Sequence, residues 1–333
     1  MTKPIHFADV NPISKILDSK IKKEINSVIL KKDFILGNAV NAFEREFSKI
    51  SKIKYSVGCA SGTDALILAL KSLNLKKKDE VIAPAMTYIS TGLSIILNNN
   101  KLVLADIDNE TGLISLKDVS KKINRNTKAI IPVNLYGQKV DLKKLRRVVG
   151  RKIAIIEDAA QSHLSFSCYQ CKKKIDNICC KKERNDSFAD ISCYSFYPSK
   201  NLGAYGDGGI ITTQNPKFYT KLLILRNLGS IRKNSHEYEG LNSRLDTIQA
   251  SVLLEKLKYT PFLNNRRRKI SEYYDEELSF MGRCLPNEMS KMNVITKFGI
   301  GLKILFFCPK LLFKGAISVL LSFGYSRAKY YGW

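Results

Sequence analysis

Short apolar runs alternate with amphipathic stretches along most of the chain. Phe43, Phe47 and Ile50 recur at helical spacing within residues 43–50, which predicts a helix with one buried face. Tyr55–Ala60 then reads as a strand and Thr63–Leu73 as a helix. Glu80–Ala83 is strand-like, Thr87–Leu97 helical, and Leu102–Ala105 strand-like again. Ala129–Val133 and Ile153–Ile156 read as buried strands on either side of a helix at Leu142–Val149. Ile191–Phe196 and Gly209–Thr213 follow as strands, and Pro216 opens a further helix. Strands that are apolar on both faces and alternate with helices predict a mostly parallel sheet covered on both sides. Such sheets hold ligands beyond the carboxyl ends of their strands, so the chemistry is expected there.

Two segments break the alternation. A Lys- and Cys-rich stretch between Ser165 and Ser187 has no periodicity and reads as a surface loop. After about Met281 the pattern gives way to a basic, apolar tail. Lys297, Lys303, Pro309, Lys310 and Lys314 interrupt that tail, so it lacks the roughly 18 uncharged residues of a membrane span. At about 150 residues per domain, 333 residues predict two domains or one large and one small. The composition is that of a globular protein, 44% hydrophobic and 26% charged, which excludes disorder and fibrous repeats. The net charge of +25 comes from lysines spread through nearly every polar stretch. Nucleic-acid binders concentrate their charge in a stripe or arm, so the reading is a diffuse basic surface that attracts small anions. Met1–His6 lacks the apolar core of a signal peptide, which predicts a cytoplasmic protein whose eight cysteines are reduced.

Three strand ends are chemically loaded. Ser61-Gly62-Thr63-Asp64 lies between a strand and a helix, where free N–H groups and the helix dipole suit a phosphate. A plain N-cap by Ser61 or Thr63 explains the same residues. Glu157-Asp158 ends an apolar strand, and two buried carboxylates are costly unless something cationic faces them. Lys200 follows the strand that ends near Ser195, just before Gly203, Gly206, Gly208 and Gly209. Partial burial would lower its pKa and make it a nucleophilic amine. Together, a phosphate cradle, a carboxylate and a buried amine match pyridoxal phosphate (PLP), which needs a phosphate anchor, a partner for its ring nitrogen and an amine for its aldehyde.

The motifs SGTDAL, EDAAQS, SFYPSKNLGAYGDGG and GLNSRLDTIQA occur in this order between residues 61 and 250. In them the chain resembles the DegT/DnrJ/EryC1/StrS family of PLP-dependent sugar aminotransferases, from about Phe34 to about Phe280. The resemblance implies an α/β fold of the fold-type I, aspartate-aminotransferase-like class. It implies a large PLP-binding domain over 1–250 and the start of a small C-terminal domain over 251–333. It assigns Lys200 to the cofactor aldehyde and Asp158 to the pyridine nitrogen as the catalytic pair. Gln161 would lie beside the ring hydroxyl, and Gly62, Thr63 and Ser195 would bind the phosphate. Tyr88 would stack on the ring, and Asn242 would reach the phosphate of a neighbouring subunit, which implies a homodimer with shared sites. The implied reaction moves the amino group of L-glutamate to a nucleotide-linked keto sugar, for cell-surface polysaccharide or amino-sugar biosynthesis. Gln161 favours a 3-keto over a 4-keto substrate.

The departures from the family carry expectations of their own. Cys168, Cys171, Cys179 and Cys180 lie in an insertion between Gln161 and Lys200. The second pair lacks the spacer usual for zinc and the loop is basic, so no metal site is expected. Asn134 stands where many relatives have histidine and is expected to adjust specificity. Residues 281–333 lack the strands of the relatives' small domain, so that domain reads as truncated or aberrant. This leaves an alternative: a catalytically impaired or regulatory PLP-binding relative.

Overall fold

A computed structural model describes residues 14–165, 188–232 and 234–277. The cysteine-rich insertion and the tail from 281 lie outside the described residues. Leu17–Arg266 forms one compact unit, and it carries the whole sheet and the residues of the candidate site.

Helices α1 (Ser14–Lys31) and α2 (Asn38–Ser51) lead into a seven-stranded sheet. In chain order this half of the unit runs β1 (Tyr55–Cys59), α3 (Gly62–Ser72), β2 (Glu80–Pro84), α4 (Ile89–Leu97), β3 (Lys101–Ala105), α5 (Leu116–Lys122) and β4 (Thr127–Ile130). It continues through α6 (Leu142–Val149), β5 (Ala154–Asp158), β6 (Ile191–Ser195), β7 (Gly209–Thr213) and α7 (Pro216–Leu225). A two-stranded ribbon, β8 (Ser230–Arg232) and β9 (Ser235–His236), precedes α8 (Thr247–Leu257) and α9 (Thr260–Glu277). The strand order is β1-β7-β6-β5-β4-β2-β3. All neighbours from β3 to β6 are parallel, and β7 runs antiparallel between β6 and β1. The mostly parallel, helix-flanked sheet is the architecture expected from the apolar runs.

Alternation along each strand sorts side chains to two faces. Val81, Ala129, Ile156, Cys193 and Ile211 pack with α3 in one cluster. Their neighbours Ile82, Ile130 and Ile155 pack with α6 on the opposite face, and Tyr194 and Ile210 pack there with α2 and α8. The buried run in the middle of the sheet is therefore covered on both sides, which is why it carries no polar period.

Two predicted boundaries differ from the structure for local reasons. The helix expected from Thr87 begins at Ile89, because Tyr88 is its extended N-cap and Thr87 spends its hydroxyl on Thr91. The ladder expected through Val133 ends at Ile130. Pro132 has no N–H to donate, and Val133 makes only a lone bridge to Asp158.

An aromatic cluster supports the end of β6. Phe43 packs edge-on to Phe196 with 5.3 Å between centroids, and Phe47 packs likewise against Tyr194 at 5.2 Å. Phe43 is fully buried. Replacing it by alanine, Phe43→Ala, should destabilise the unit by about 3–5 kcal/mol, measured as a lower urea midpoint with unchanged slope. A midpoint shift of only a few tenths of a kcal/mol would mean that the cluster is not part of the cooperative core.

Candidate active site

The carboxyl edge of the sheet brings the three loaded strand ends together. β1 delivers Cys59 opposite Gly209, and β6 delivers Ser195 opposite the same glycine. β5 delivers Asp158 beside Cys193 of β6. The chain then turns directly from β1 into α3. A Cβ at Gly62 would lie 2.5 Å from that of Ser195, and one at Gly209 would lie 2.3 Å from the Ser61 carbonyl oxygen. Only residues without side chains allow the α3 N-terminus to sit so close to the ends of β6 and β7.

Both readings of the first strand end hold at once. Ser61 is the N-cap of α3, and its hydroxyl accepts the Asp64 N–H at 3.1 Å. The N–H groups of Gly62 and Thr63, in the first turn of α3, have no acceptor among the described residues. Thr63 Oγ1 shares a 2.7 Å hydrogen bond with Ser90 Oγ, tying the start of α3 to that of α4. This edge therefore offers two backbone donors, the Thr63 and Ser195 hydroxyls and a helix dipole to an anion.

The two carboxylates at the second strand end meet opposite environments. Glu157 faces α6 and lies 3.4 Å from Lys139 Nζ, with both side chains buried. It also accepts from Asn134 Nδ2 and Ser192 Oγ, each at 2.7 Å. Burial alone would raise its pKa, but Lys139, Ser192 and Asn134 outweigh it and hold the carboxyl below its usual range. Asp158 points the other way. It accepts from the Ala160 N–H at 3.1 Å and from Thr91 Oγ1 at 2.9 Å, and no cation pairs with it among the described residues. Burial therefore wins and raises its pKa, in spite of those two donors and the more distant charge of Lys200. A carboxylate so placed favours a ligand that brings a positive charge or a proton.

Lys200 lies in the loop after β6, where its N–H closes a turn onto the Tyr197 carbonyl at 2.8 Å. Its side chain is half-buried, and desolvation lowers its pKa while Asp158 partly restores it. The amine is thus more often neutral, and more nucleophilic, than a surface lysine.

The remaining sequence-predicted residues lie around the same edge. Tyr88 is 70% exposed at the N-terminus of α4. Gln161 follows Asp158 by one turn, and its Oε1 accepts the Tyr136 N–H at 2.6 Å. Asn242 is exposed beside Ser243, whose hydroxyl accepts from the Ala60 N–H and donates to Asp64 at the start of α3. Asn134, by contrast, is wholly buried behind the strand ends. Its amide is spent on Glu157, Ser162 and the Val140 N–H, so it acts through the polar network that secures Glu157.

Thr91 was not legible in the sequence. It is fully buried on α4 and donates to Asp158, while the Thr87 hydroxyl donates to it at 2.8 Å. Its only sequence signal is a hydroxyl residue four positions after Thr87, one helical turn away. The isosteric change Thr91→Val removes a hydrogen bond to a charged group, a loss of about 1.5–3 kcal/mol. It should slow conversion of the PLP-loaded chain by its amino donor by about 10-fold or more. A rate within about twofold of wild type would mean that Asp158 does not need this donor.

Four features fit PLP: a cradle that a Cβ would fill, two unspent N–H groups, a buried carboxylate lacking a cation and a partly desolvated amine. Among the described residues, no cluster of three His, Cys, Asp or Glu side chains could hold a metal ion. No described helix is long and apolar enough to cross a membrane.

Known proteins give the same answer. A UDP-N-acetyl-3-dehydro-alpha-D-glucosamine 3-aminotransferase of Acidithiobacillus ferrooxidans is 36% identical over 271 residues, 81% of this chain and 70% of that enzyme. The structure of S. venezuelae DesV with a ketimine intermediate superposes with a TM-score of 0.76 at 34% identity, covering 83% of this chain and 71% of that one. A GDP-4-keto-6-deoxymannose-3-dehydratase with a trapped PLP–glutamate geminal diamine superposes with a TM-score of 0.66 at 26% identity, covering 78% and 70%. The model of the DegT/DnrJ/EryC1/StrS aminotransferase family matches residues 15–303. The chain belongs to that family, and it is a PLP-dependent aminotransferase.

Proposed function

We propose that the protein transfers the amino group of L-glutamate to a nucleotide-diphosphate-linked keto sugar, at C3 rather than C4. The observation that carries the chemistry is the split between Glu157 and Asp158. One carboxylate is neutralised within the protein, and its neighbour faces the site without a cation. When bound, PLP supplies an aldehyde for amines and a ring that accepts electrons from the carbon being deprotonated. Asp158 holds the proton on the ring nitrogen, with Thr91 fixing the carboxylate. Lys200 Nζ would hold the cofactor's aldehyde carbon and, once freed by an incoming amine, would carry the proton at the substrate carbon. Gly62, Thr63 and Ser195 bind the phosphate, Tyr88 covers the ring face, and Gln161 lies beside the ring hydroxyl.

Glutamate as donor is supported by the glutamate adduct trapped in the dehydratase. The C3 position is supported by Gln161 and by the 3-dehydro sugar of the Acidithiobacillus relative. The charge of +25 suits a substrate bearing two phosphates. A cytoplasmic homodimer, with Asn242 reaching the partner's phosphate site, completes the reading, in a pathway to cell-surface polysaccharide or amino sugars.

The test loads the full chain with PLP, converts it with glutamate to the pyridoxamine form, and then offers 3-keto and 4-keto UDP- and dTDP-sugars separately. A 3-keto sugar should restore the starting visible spectrum. Restoration by a 4-keto sugar alone would overturn the C3 assignment. Failure with every sugar would favour the impaired or regulatory relative.

A further inference from the structure

Lys256 is a buried cation outside the groups that meet the cofactor. It lies on α8, is only 6% exposed, and donates from Nζ to the Gly203 carbonyl at 2.9 Å. Its ammonium also sits 4.4 Å from the centroid of the Tyr205 ring. Gly203 and Tyr205 belong to the loop that carries Lys200. We propose that Lys256 is a positioning residue for Lys200: it fixes the closing side of the 197–206 loop and so holds the Lys200 amine in its partly desolvated place. The proposal rests on the role given to Lys200 above.

The loop has few holds of its own. Lys200 N–H bonds to Tyr197 O at 2.8 Å, and Ala204 N–H bonds to Phe196 O at 2.8 Å. Gly203 folds back onto Pro198 so closely that a Cβ there would lie 2.2 Å from the Pro198 oxygen. The Gly203 carbonyl accepts from Lys256 of α8. A second residue of α8, Gln249, accepts the Tyr205 N–H at 2.9 Å. Both ends of this return segment are thus pinned to a single rigid helix. Burying an ammonium is costly, and burial lowers the pKa of Lys256 to about 8, with Asp18 of α1 opposing the shift. A methionine would fill the same space without that cost, so the cation is retained against its own desolvation. A charge-assisted bond to a carbonyl together with a cation–π contact is the return for it.

The test reads Lys200 directly, in the full chain without cofactor. Amine labelling with acetic anhydride, followed by peptide mass spectrometry across pH, gives the titration midpoint of Lys200. In Lys256→Met the loop loosens and Lys200 becomes more solvated, so its midpoint should rise by roughly one pH unit toward that of an ordinary lysine. Hydrogen exchange at the Lys200 and Ala204 amides should quicken at least severalfold. A purely structural role would lower the melting temperature and leave the Lys200 midpoint unchanged. Should Lys256→Met fail to fold, Tyr205→Leu removes the partly exposed ring from the ammonium and should shift both readouts in the same direction. An unchanged Lys200 midpoint and unchanged exchange in a folded variant would overturn the proposal. Borohydride trapping of PLP on wild-type Lys200 tests the role of Lys200 itself, so the two failures are distinguishable.

Discussion

Lys200→Ala should abolish turnover and covalent capture of PLP while leaving the fold unchanged. The side chain is half-buried and, among the described residues, bonds to nothing through its amine, so its removal breaks no core contact. The loop keeps its backbone bonds from Lys200 to Tyr197 and from Ala204 to Phe196. The chemistry has no replacement: no other described lysine is placed beside Asp158, and a nucleophilic amine cannot be supplied by alanine. Borohydride should fix PLP to the wild-type chain on the peptide containing Lys200 and fix none to the variant. Urea midpoints should agree within a few tenths of a kcal/mol, as expected for a change outside the packed core. Stoichiometric trapping of PLP in Lys200→Ala would move the role to another amine.

Asp158→Asn should have opposite effects on rate and on stability. The carboxylate is the only charged group aimed at the site from β5, and electrostatic partners of a developing charge are worth about 10²–10³-fold or more in rate. Glutamate-dependent conversion of the loaded variant should slow by at least that factor. Stability of the cofactor-free chain should move the other way. Because burial raises the native pKa of Asp158 above its ordinary value, the native state binds its proton more tightly than the unfolded state. Stability from this group is therefore present below the ordinary carboxylate range and is lost as pH rises through the raised native pKa. As pH rises through the raised native pKa the wild type bears a growing cost of a buried anion, and asparagine does not. Denaturation at pH 7 should show Asp158→Asn at least as stable as wild type, with the difference vanishing as pH falls. A less stable variant with near-normal conversion would remove Asp158 from this role.

The middle of the sheet was legible because its strands are buried on both faces. Runs such as Ile155-Ile156 and Ile210-Ile211 need no tertiary knowledge to be read as strands. The site was legible to the same extent, because its groups sit where such strands end: Ser61–Thr63 after β1, Asp158 on β5 and Lys200 after β6. What sequence reading missed depends on contacts distant in the chain. Glu157 and Asp158 are chemically alike as neighbours, and it is Lys139, 18 positions earlier, together with the Asn134 and Ser192 donors, that separates their roles. Thr91 looks like any hydroxyl on a short helix until α4 is laid against β5. Lys256 is one lysine in a chain crowded with them, and only the packing of α8 onto the Lys200 loop marks it out. Helix α1 went unread because its polar residues outnumber its apolar ones and its buried residues, Leu17, Ile21 and Val28, are few.

The central claim is that the site holds a ring nitrogen carrying its proton against Asp158. Nitrogen-15 NMR of the full chain loaded with PLP labelled at the pyridine nitrogen measures this without turnover. A protonated ring nitrogen should persist from pH 6 to beyond pH 8 in the wild type and be lost in Asp158→Asn. A neutral ring nitrogen in the wild type at pH 7, or the same protonation in both proteins, would contradict the account.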